Sequence, residues 1–202
     1  MKLYYAPGAC SLAVHIALRE AGLPFELARV DLAQRRVEGG TDLAAVNPRG
    51  YVPVLEFGGG HHTEAAALLQ HVGELAPASG LLPAAGTAER LEVTKWLTFV
   101  ATELHKTLGA LWNPAVHEAT RQTCLDVLAR RLPEVERALA GRAHLAGSRF
   151  TAADAYAFAI LGWTRMLGIP LDPYPRLQAW MGRVAARPAV LAALQAEGLV
   201  PA

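Results

Sequence analysis

The chain has 202 residues, 52% of them hydrophobic, and a formal net charge of +1. These values predict a globular protein of one domain or two small ones rather than an extended array. The basic residues are scattered, which argues against a nucleic acid or an acidic membrane surface as partner. Cys10 and Cys124 are too far apart for a C-x-x-C redox or metal motif, and this favours free thiols in a reducing compartment.

Targeting, membrane and metal signals are not expected either. Pro7 and Gly8 interrupt any early hydrophobic run, and no later window reaches the ~18 uncharged apolar residues of a membrane span. The histidines show no metal-ligand spacing with carboxylates or cysteines, so no metal site is predicted. We expect a cytoplasmic protein that binds a small molecule or a second copy of itself.

The first thirty residues predict a strand, a helix and a second strand. The run at 2–5 is a strand candidate that ends at a Pro-Gly turn, residues 11–21 carry a helical pattern, and 25–30 alternate as a strand does. This spacing is typical of a crossover unit with parallel strands. Residues 31–40 are charged and end in glycine, which predicts a surface loop with a helical turn.

The segment PGACS places Cys10 where the first strand gives way to the first helix. Unpaired backbone N–H groups and the helix dipole at such a position favour the thiolate over the thiol. The alternative is a buried cysteine that packs as a small hydrophobic residue. The segment alone leaves both interpretations open.

Residues 52–62 predict a strand, a glycine turn and a returning antiparallel strand fragment. Pro53 must open the strand or lie at its edge, and a cis bond after Val52 would turn the Val52 backbone outward, where it can bind a peptide by strand addition. Thr63 is the expected N-cap of a helix, with Glu64 in its first turn. The same helix start can hold an anion at the Ala65 N–H and a cation at Glu64.

Residues 77–86 are rich in Pro, Gly and Ala, and strand signals vanish after them. We therefore predict one domain at 1–79, a linker at 80–86 and a helical domain at 87–202. The helices are expected at 87–112, 119–140, 152–167 and 174–196, with a break near Pro188. Thr151 and Asp154 form the pattern of a capping box, so Asp154 is assigned to folding rather than catalysis.

The helix predicted at 87–112 carries two faces. An apolar stripe comprises Leu97, Val100, Ala101, Leu104, Leu108 and Leu111. At 100° per residue, an adjoining polar lane comprises Thr98, Thr102, His105, Lys106 and Gly109. A polar lane is usually exposed to solvent, and nothing else in this helix assigns it a function.

In several motifs the chain resembles the bacterial beta-class cytosolic glutathione transferases. The resemblance rests on KLYYAPGACSLAVHIALRE, VNPRGYVPVL, HTEAAALLQH, ATELHK and RFTAADAYAF, in that order along the chain. It implies an α/β thioredoxin-like N-terminal domain, an all-α C-terminal domain, a homodimer and glutathione as co-substrate without a metal. It also implies a cis Val52–Pro53 bond that presents backbone to the glutathione cysteinyl group.

The resemblance also implies roles for residues of the site. Cys10 would face the glutathione sulfur with Ser11 beside it, and His105 and Lys106 would reach it from the helical domain. The groups that would hold the rest of glutathione are Arg35, Val52, Glu64 and Ala65, with Thr98 and Glu103 supplied by the partner subunit. The pocket for an apolar electrophile would be lined by Leu111, Trp112, Trp163 and Met166.

Three functions fit this site. The first is attack of the glutathione thiolate on a hydrophobic electrophile, for which the helix dipole, Lys106 and a hydrogen bond from His105 would ionise the thiol. The second is thiol–disulfide exchange or peroxide reduction through a Cys10–glutathione mixed disulfide. The third is a non-catalytic carrier of apolar compounds, which His105 and Lys106 near the sulfur make less attractive.

Overall fold

The computed structural model describes residues 1–201, and its first part is built on a five-stranded mixed sheet. The strand order is β3-β2-β1-β4-β5, with β1 parallel to β2 and antiparallel to β4. The strands are β1 (Lys2–Tyr5), β2 (Glu26–Asp31), β3 (Arg36–Val37), β4 (Val54–Phe57) and β5 (Gly60–His62). The predicted strand–helix–strand unit and the returning strand are confirmed.

Successive side chains of β1 point to opposite faces of the sheet, and both faces are buried. Leu3 and Tyr5 join the core formed with the helical part of the chain, whereas Tyr4 joins a smaller cluster with Val54 and Val30. The three helices of this part are α1 (Ser11–Glu20), α2 (Leu43–Val46) and α3 (Ala65–Leu75). The prediction of a surface loop with a helical turn at 31–40 was incomplete, because β3 pairs with β2 there.

After a short 3-10 turn at Pro77–Ser79, all regular elements of the described residues are helical. They are α4 (Ala88–Phe99), α5 (Lys106–Ala110), α6 (Glu118–Ala138), α7 (Ala152–Leu161), α8 (Trp163–Met166), α9 (Pro175–Ala185) and α10 (Pro188–Ala196). This confirms an α/β thioredoxin-like part followed by an all-α part. The boundaries at 79, 86 and 87 stay predictions, and Ala202 lies outside the described residues.

A π-helical segment, Val100–His105, joins α4 to α5 in one continuous rod. Each residue in a π turn is rotated less than in an α-helix, so a lane drawn at 100° per residue does not run straight through it. Thr98 and Thr102 remain exposed, whereas the His105 ring turns inward and bonds a side chain of α7. The predicted single polar lane is therefore wrong for His105.

The helical part packs directly on the sheet part through α1, which contacts α7 and α10. Helix α7 is buried along its whole length, and it begins at the predicted capping box. Both oxygens of Asp154 are used for folding: one accepts from the Thr151 backbone and hydroxyl groups, the other from Leu145 N–H and the Trp180 indole. The assignment of Asp154 to folding is confirmed. Within residues 1–201, no helix is both long and apolar enough for a membrane span.

Candidate active site

Cys10 lies at the N-cap of α1, where the chain leaves β1 through the Pro7-Gly8 turn. Its side chain is buried, and its Sγ donates to the backbone carbonyl of Val52 at 3.2 Å. The Val52–Pro53 bond is cis, as predicted. Ser11 is fully buried, and its Oγ bonds the Ala6 backbone at 3.2 and 3.3 Å. Ser11 therefore closes the turn that carries Cys10.

Burial controls the protonation of Cys10. Loss of solvation raises the pKa of the thiol to about 12, against the lowering effect of the backbone N–H groups of Cys10 and Ser11. The nearby Glu64 carboxylate raises this pKa further. Of the two interpretations that the segment left open for Cys10, these contacts support the buried cysteine, because a thiolate would lose more solvation than the helix start returns.

His105 approaches the same region from the helical part. Its Nδ1 lies 2.7 Å from the hydroxyl oxygen of Tyr156, and its ring meets the Trp163 ring edge-on at 5.1 Å between centroids. Burial, with a smaller effect of the neighbouring Lys106 charge, lowers the pKa of His105 to about 4, although Glu64 opposes the shift. The imidazole is therefore neutral at physiological pH.

Tyr156 is the site residue that sequence reasoning missed. It is 2% exposed, and burial, with a smaller effect of the Glu64 carboxylate, raises its pKa, so that it stays protonated. Its hydroxyl bonds His105, whose ring meets the Trp163 that donates to Gly8 in the Cys10 turn. The sequence contained a signal, because Asp154 is already used by the capping box and Tyr156 is then the one remaining polar residue of an alanine-rich helix, whose hydroxyl needs a hydrogen-bond partner.

Gly8, in the turn before Cys10, is held from two directions. Its N–H donates to Glu197 Oε2 at 2.9 Å, and its carbonyl accepts from the Trp163 indole at 2.8 Å. The other Glu197 oxygen lies 2.8 Å from His15 Nδ1, and Arg19 Nε donates to His15 Nε2 at 2.9 Å. A buried network from the C-terminal segment therefore fixes the Cys10 turn.

The start of α3 has a different character. Glu64 is the residue before the helix, with a left-handed φ of +71°, and its Oε1 accepts from Arg49 at 3.0 Å and the Tyr51 hydroxyl at 2.7 Å. The prediction of Thr63 as N-cap is wrong, because the chain turns one residue later. Ala65 is buried, and its N–H has no backbone partner among residues 1–201.

Two predicted cations lie at exposed positions. The Arg35 guanidinium packs over Gly50, where an added Cβ would lie 3.4 Å from its Nη2, so it flanks the segment that leads to Val52. Lys106 follows His105 directly and is exposed, and none of the ion pairs within residues 1–201 includes it. Both positions leave a charge free for an anion.

Thr98 and Glu103 are not brought to this site within the chain. The Thr98 hydroxyl donates to Thr94 O of its own helix at 3.0 Å. Glu103 accepts from Arg131 Nε at 2.6 Å, and this pair is partly exposed. Their assignment to a neighbouring subunit's site stays a prediction.

The four predicted pocket residues do not form one wall. Trp112 and Trp163 meet edge-on at 5.9 Å, while Trp163 and Met166 border an apolar cavity of about 810 Å³ between the C-terminal segment and α7–α9. Leu111 is 3% exposed and lies in the core. The cavity and the two tryptophans together offer apolar surface next to the Cys10 turn.

The arrangement suits a ligand that is both charged and peptide-like. It combines a helix start, a carboxylate and two free cations with the backbone of Val52 just before β4, next to a neutral imidazole and a protonated thiol. Within residues 1–201 no group of three or more His, Cys, Asp or Glu side chains could hold a metal ion.

Comparison with known families matches two domain models. Residues 8–75 match the glutathione S-transferase N-terminal domain, and residues 94–188 match the glutathione S-transferase C-terminal domain. Over 98% of this chain and all of the relative, the sequence is 42% identical to the glutathione S-transferase GstA of Escherichia coli O157:H7.

Two solved structures are similar over nearly the whole fold. A sphingomonad glutathione S-transferase complexed with glutathione is 45% identical, with a TM-score of 0.94 over 99% of this chain and 100% of that one. A bacterial beta-class glutathione S-transferase of Sphingomonas chungbukensis is 43% identical, with the same TM-score and coverage. The sequence resemblance is thereby confirmed.

Proposed function

Because the chain belongs to the glutathione S-transferase family, we propose how its own residues conjugate glutathione to a hydrophobic electrophile. The glutathione thiol binds between Cys10 and His105, releases its proton to solvent water and attacks the electrophile as a thiolate; the new S–C bond replaces the bond to the electrophile's leaving group, such as chloride. The observation that carries this assignment is the contact of His105 with Trp163, at 5.1 Å between ring centroids, because the Trp163 indole donates to Gly8 in the turn that carries Cys10.

Binding of glutathione is assigned to the groups around Cys10. The α3 start holds the γ-glutamyl end, with Ala65 N–H on its carboxylate and Glu64 on its ammonium. The Val52 backbone pairs with the cysteinyl residue, and Arg35 meets the glycine carboxylate. Support comes from Glu64, whose strained φ is maintained by bonds to Arg49 and Tyr51, which hold its carboxylate in place.

Activation of the thiol is assigned to His105 and Lys106. A neutral imidazole donates a hydrogen bond to the glutathione sulfur, and the Lys106 ammonium favours the anion by its charge. Cys10 is protonated and packs against the sulfur. Because its Sγ already donates to Val52 O, Cys10 also holds the segment that receives the peptide backbone.

A homodimer in the cytoplasm is part of the proposal. Thr98 is exposed on the long helical rod, and the Glu103–Arg131 pair, which joins the rod to α6, is partly exposed, so a second copy can reach these residues. Two free cysteines suit a reducing compartment. The electrophile is assigned to the apolar surface at Trp112, Trp163 and Met166, since Trp163 also bonds the turn that carries Cys10.

The free thiol at the centre of the site favours a second candidate function. Cys10 can attack the disulfide of a glutathione mixed disulfide, which forms a Cys10–glutathione disulfide and releases the other thiol. Reduced glutathione then attacks that bond, which releases Cys10 and oxidised glutathione. Burial and the raised pKa of Cys10 make this the weaker candidate, because the thiolate is the attacking form.

Replacement of Cys10 by Ala separates the two functions, with Cys124→Ala as the matched control. We expect the Cys10→Ala enzyme to keep at least a tenth of its kcat with an activated aryl chloride while disulfide exchange falls to background. A loss of both activities would contradict this expectation and show that conjugation also depends on Cys10. Glutathione binding without turnover of any electrophile by the unaltered enzyme would instead support the carrier.

A further inference from the structure

The hydrogen bond between Tyr156 and His105 connects the buried helix α7 to the imidazole of the site. The 2.7 Å distance from the hydroxyl to Nδ1 is short for a neutral pair, and the two rings meet edge-on with centroids 5.7 Å apart. The Trp163 ring borders the imidazole at 5.1 Å. Two aromatic neighbours therefore limit the rotation of the His105 ring.

The hydrogen in this bond can be assigned by counting donors and acceptors. Tyr156 has a single hydroxyl hydrogen, and the hydroxyl has no hydrogen-bond partner in residues 1–201 other than His105. If Nδ1–H were the donor, the hydroxyl hydrogen would be buried without an acceptor, which costs free energy. If the hydroxyl is the donor, both groups are satisfied.

Protonation of the two groups agrees with this direction. Burial raises the pKa of Tyr156, and burial with the Lys106 charge lowers the pKa of His105 to about 4, against the effect of Glu64. Near neutral pH the pair is therefore a neutral phenol and a neutral imidazole. When Nδ1 accepts, the single ring hydrogen is on Nε2, which has no bonding partner within residues 1–201.

We propose that Tyr156 is a positioning residue: its hydroxyl donates to Nδ1 of His105 and so holds the imidazole with its hydrogen on Nε2, directed at the glutathione sulfur. The tautomer follows from the geometry alone, whereas the direction toward sulfur rests on the proposed function. Without the hydroxyl, the ring is free to exchange tautomers, and only one of them can donate to the sulfur from Nε2.

The test uses Tyr156→Phe, which keeps the ring and removes only the hydroxyl. Tyr4→Phe is the matched control, because the Tyr4 hydroxyl also makes a 2.7 Å hydrogen bond, with Glu56. Tyr4 belongs to the smaller cluster on the other face of the sheet. Nitrogen NMR of histidine-labelled protein without glutathione reports the tautomer, and the His105 signals are assigned as those missing from His105→Gln.

We expect a protonated Nε2 and an unprotonated Nδ1 in the parent protein and in Tyr4→Phe, and averaged signals for both nitrogens in Tyr156→Phe. The kcat for conjugation should fall about tenfold in Tyr156→Phe, with the KM for glutathione changed less than about threefold, because binding groups are untouched. Tyr4→Phe should keep the parent kcat.

Two results would overturn the proposal. One is a protonated Nδ1 of His105 in the parent protein. This measurement needs no Tyr156 variant, so it decides the question even if Tyr156→Phe does not fold. The other is a Tyr156→Phe enzyme with the parent tautomer and the parent kcat. By contrast, an unchanged kcat in His105→Gln would remove His105 from thiol activation, and the NMR result would still decide the tautomer.

Discussion

The starts of α1 and α3 are both helix N-termini of the thioredoxin-like part, yet they are built in opposite ways. At α1, Cys10 and Ser11 are buried and the preceding Gly8 is fixed by Glu197 and Trp163. At α3, Glu64 is largely exposed and keeps a strained backbone. A helix start alone does not determine whether an anion forms there, because the cost of desolvation can exceed the effect of the dipole.

Because of this difference, we assign a different part of glutathione binding to each helix start. In the proposed function, the α3 start receives the charged end of glutathione, since the Glu64 carboxylate is largely exposed and the Ala65 N–H has no backbone partner in residues 1–201. In the same proposal, the α1 start is the buried, fixed surface on which the incoming thiol meets His105 and the protonated Cys10. The predictions below test each helix start separately.

The largest expected effect concerns the rigidity of the α1 start. Glu197→Gln places an amide NH2 opposite either the Gly8 N–H or the His15 Nδ1, so one buried donor loses its acceptor. We expect the free energy of unfolding to fall by about 3 kcal/mol. Urea unfolding measures it, with Glu118→Gln at the exposed start of α6 as control. A loss below about 1 kcal/mol would show that the network does not fix the turn.

The next effect is a pH dependence of stability from His105. The unfolded chain takes up a proton at this residue near pH 6.5, whereas the folded protein does so only near its lowered pKa of about 4. Stability should therefore fall as pH falls between these values, by about 2 kcal/mol after allowance for partial exposure.

Urea unfolding of the parent protein and of His105→Gln at several pH values between 4 and 7 measures this contribution. The difference in unfolding free energy between the two proteins should grow in favour of the variant as the solution becomes more acidic. If the unfolding free energies of the two proteins changed with pH in parallel, the imidazole ring of His105 would not be desolvated next to the α1 start.

The smallest effect belongs to the α3 start. Glu64→Gly removes the carboxylate and relieves the positive φ, so we expect a KM for glutathione about tenfold higher with the free energy of unfolding unchanged or raised by up to about 1 kcal/mol. Steady-state kinetics and urea unfolding measure the two quantities, with the exposed Glu38→Gly as control. A clear loss of stability would mean that Glu64 serves the fold.

Much of the fold could be predicted from the sequence, because strand alternation, helical periodicity and turn residues are local signals. The same holds for the position of Cys10 at the start of α1, whereas the start of α3 was predicted one residue too early and the face of His105 was predicted wrongly. Contacts between distant segments left no local signal. The bonds from Glu197 to Gly8 and from Tyr156 to His105 depend on packing of α10 and α7, 189 and 51 residues away.

The net direction of a pKa shift with opposing causes could not be predicted from the sequence either. The sequence showed Cys10 at a helix start, but its burial comes from tertiary packing, and that burial reverses the expected direction of its pKa. The π-helical segment likewise changed the direction in which the His105 side chain points, and a uniform rotation of 100° per residue does not predict this change.

Titration of thiolate absorbance, in a Cys124→Ala background, tests most directly whether the anion of this site belongs to glutathione rather than to Cys10. Without glutathione, we predict no thiolate below about pH 9. With saturating glutathione, a thiolate should form near about pH 7, well below the ordinary thiol value, and should persist in Cys10→Ala. A thiolate near neutral pH without glutathione that disappears in Cys10→Ala would contradict this assignment.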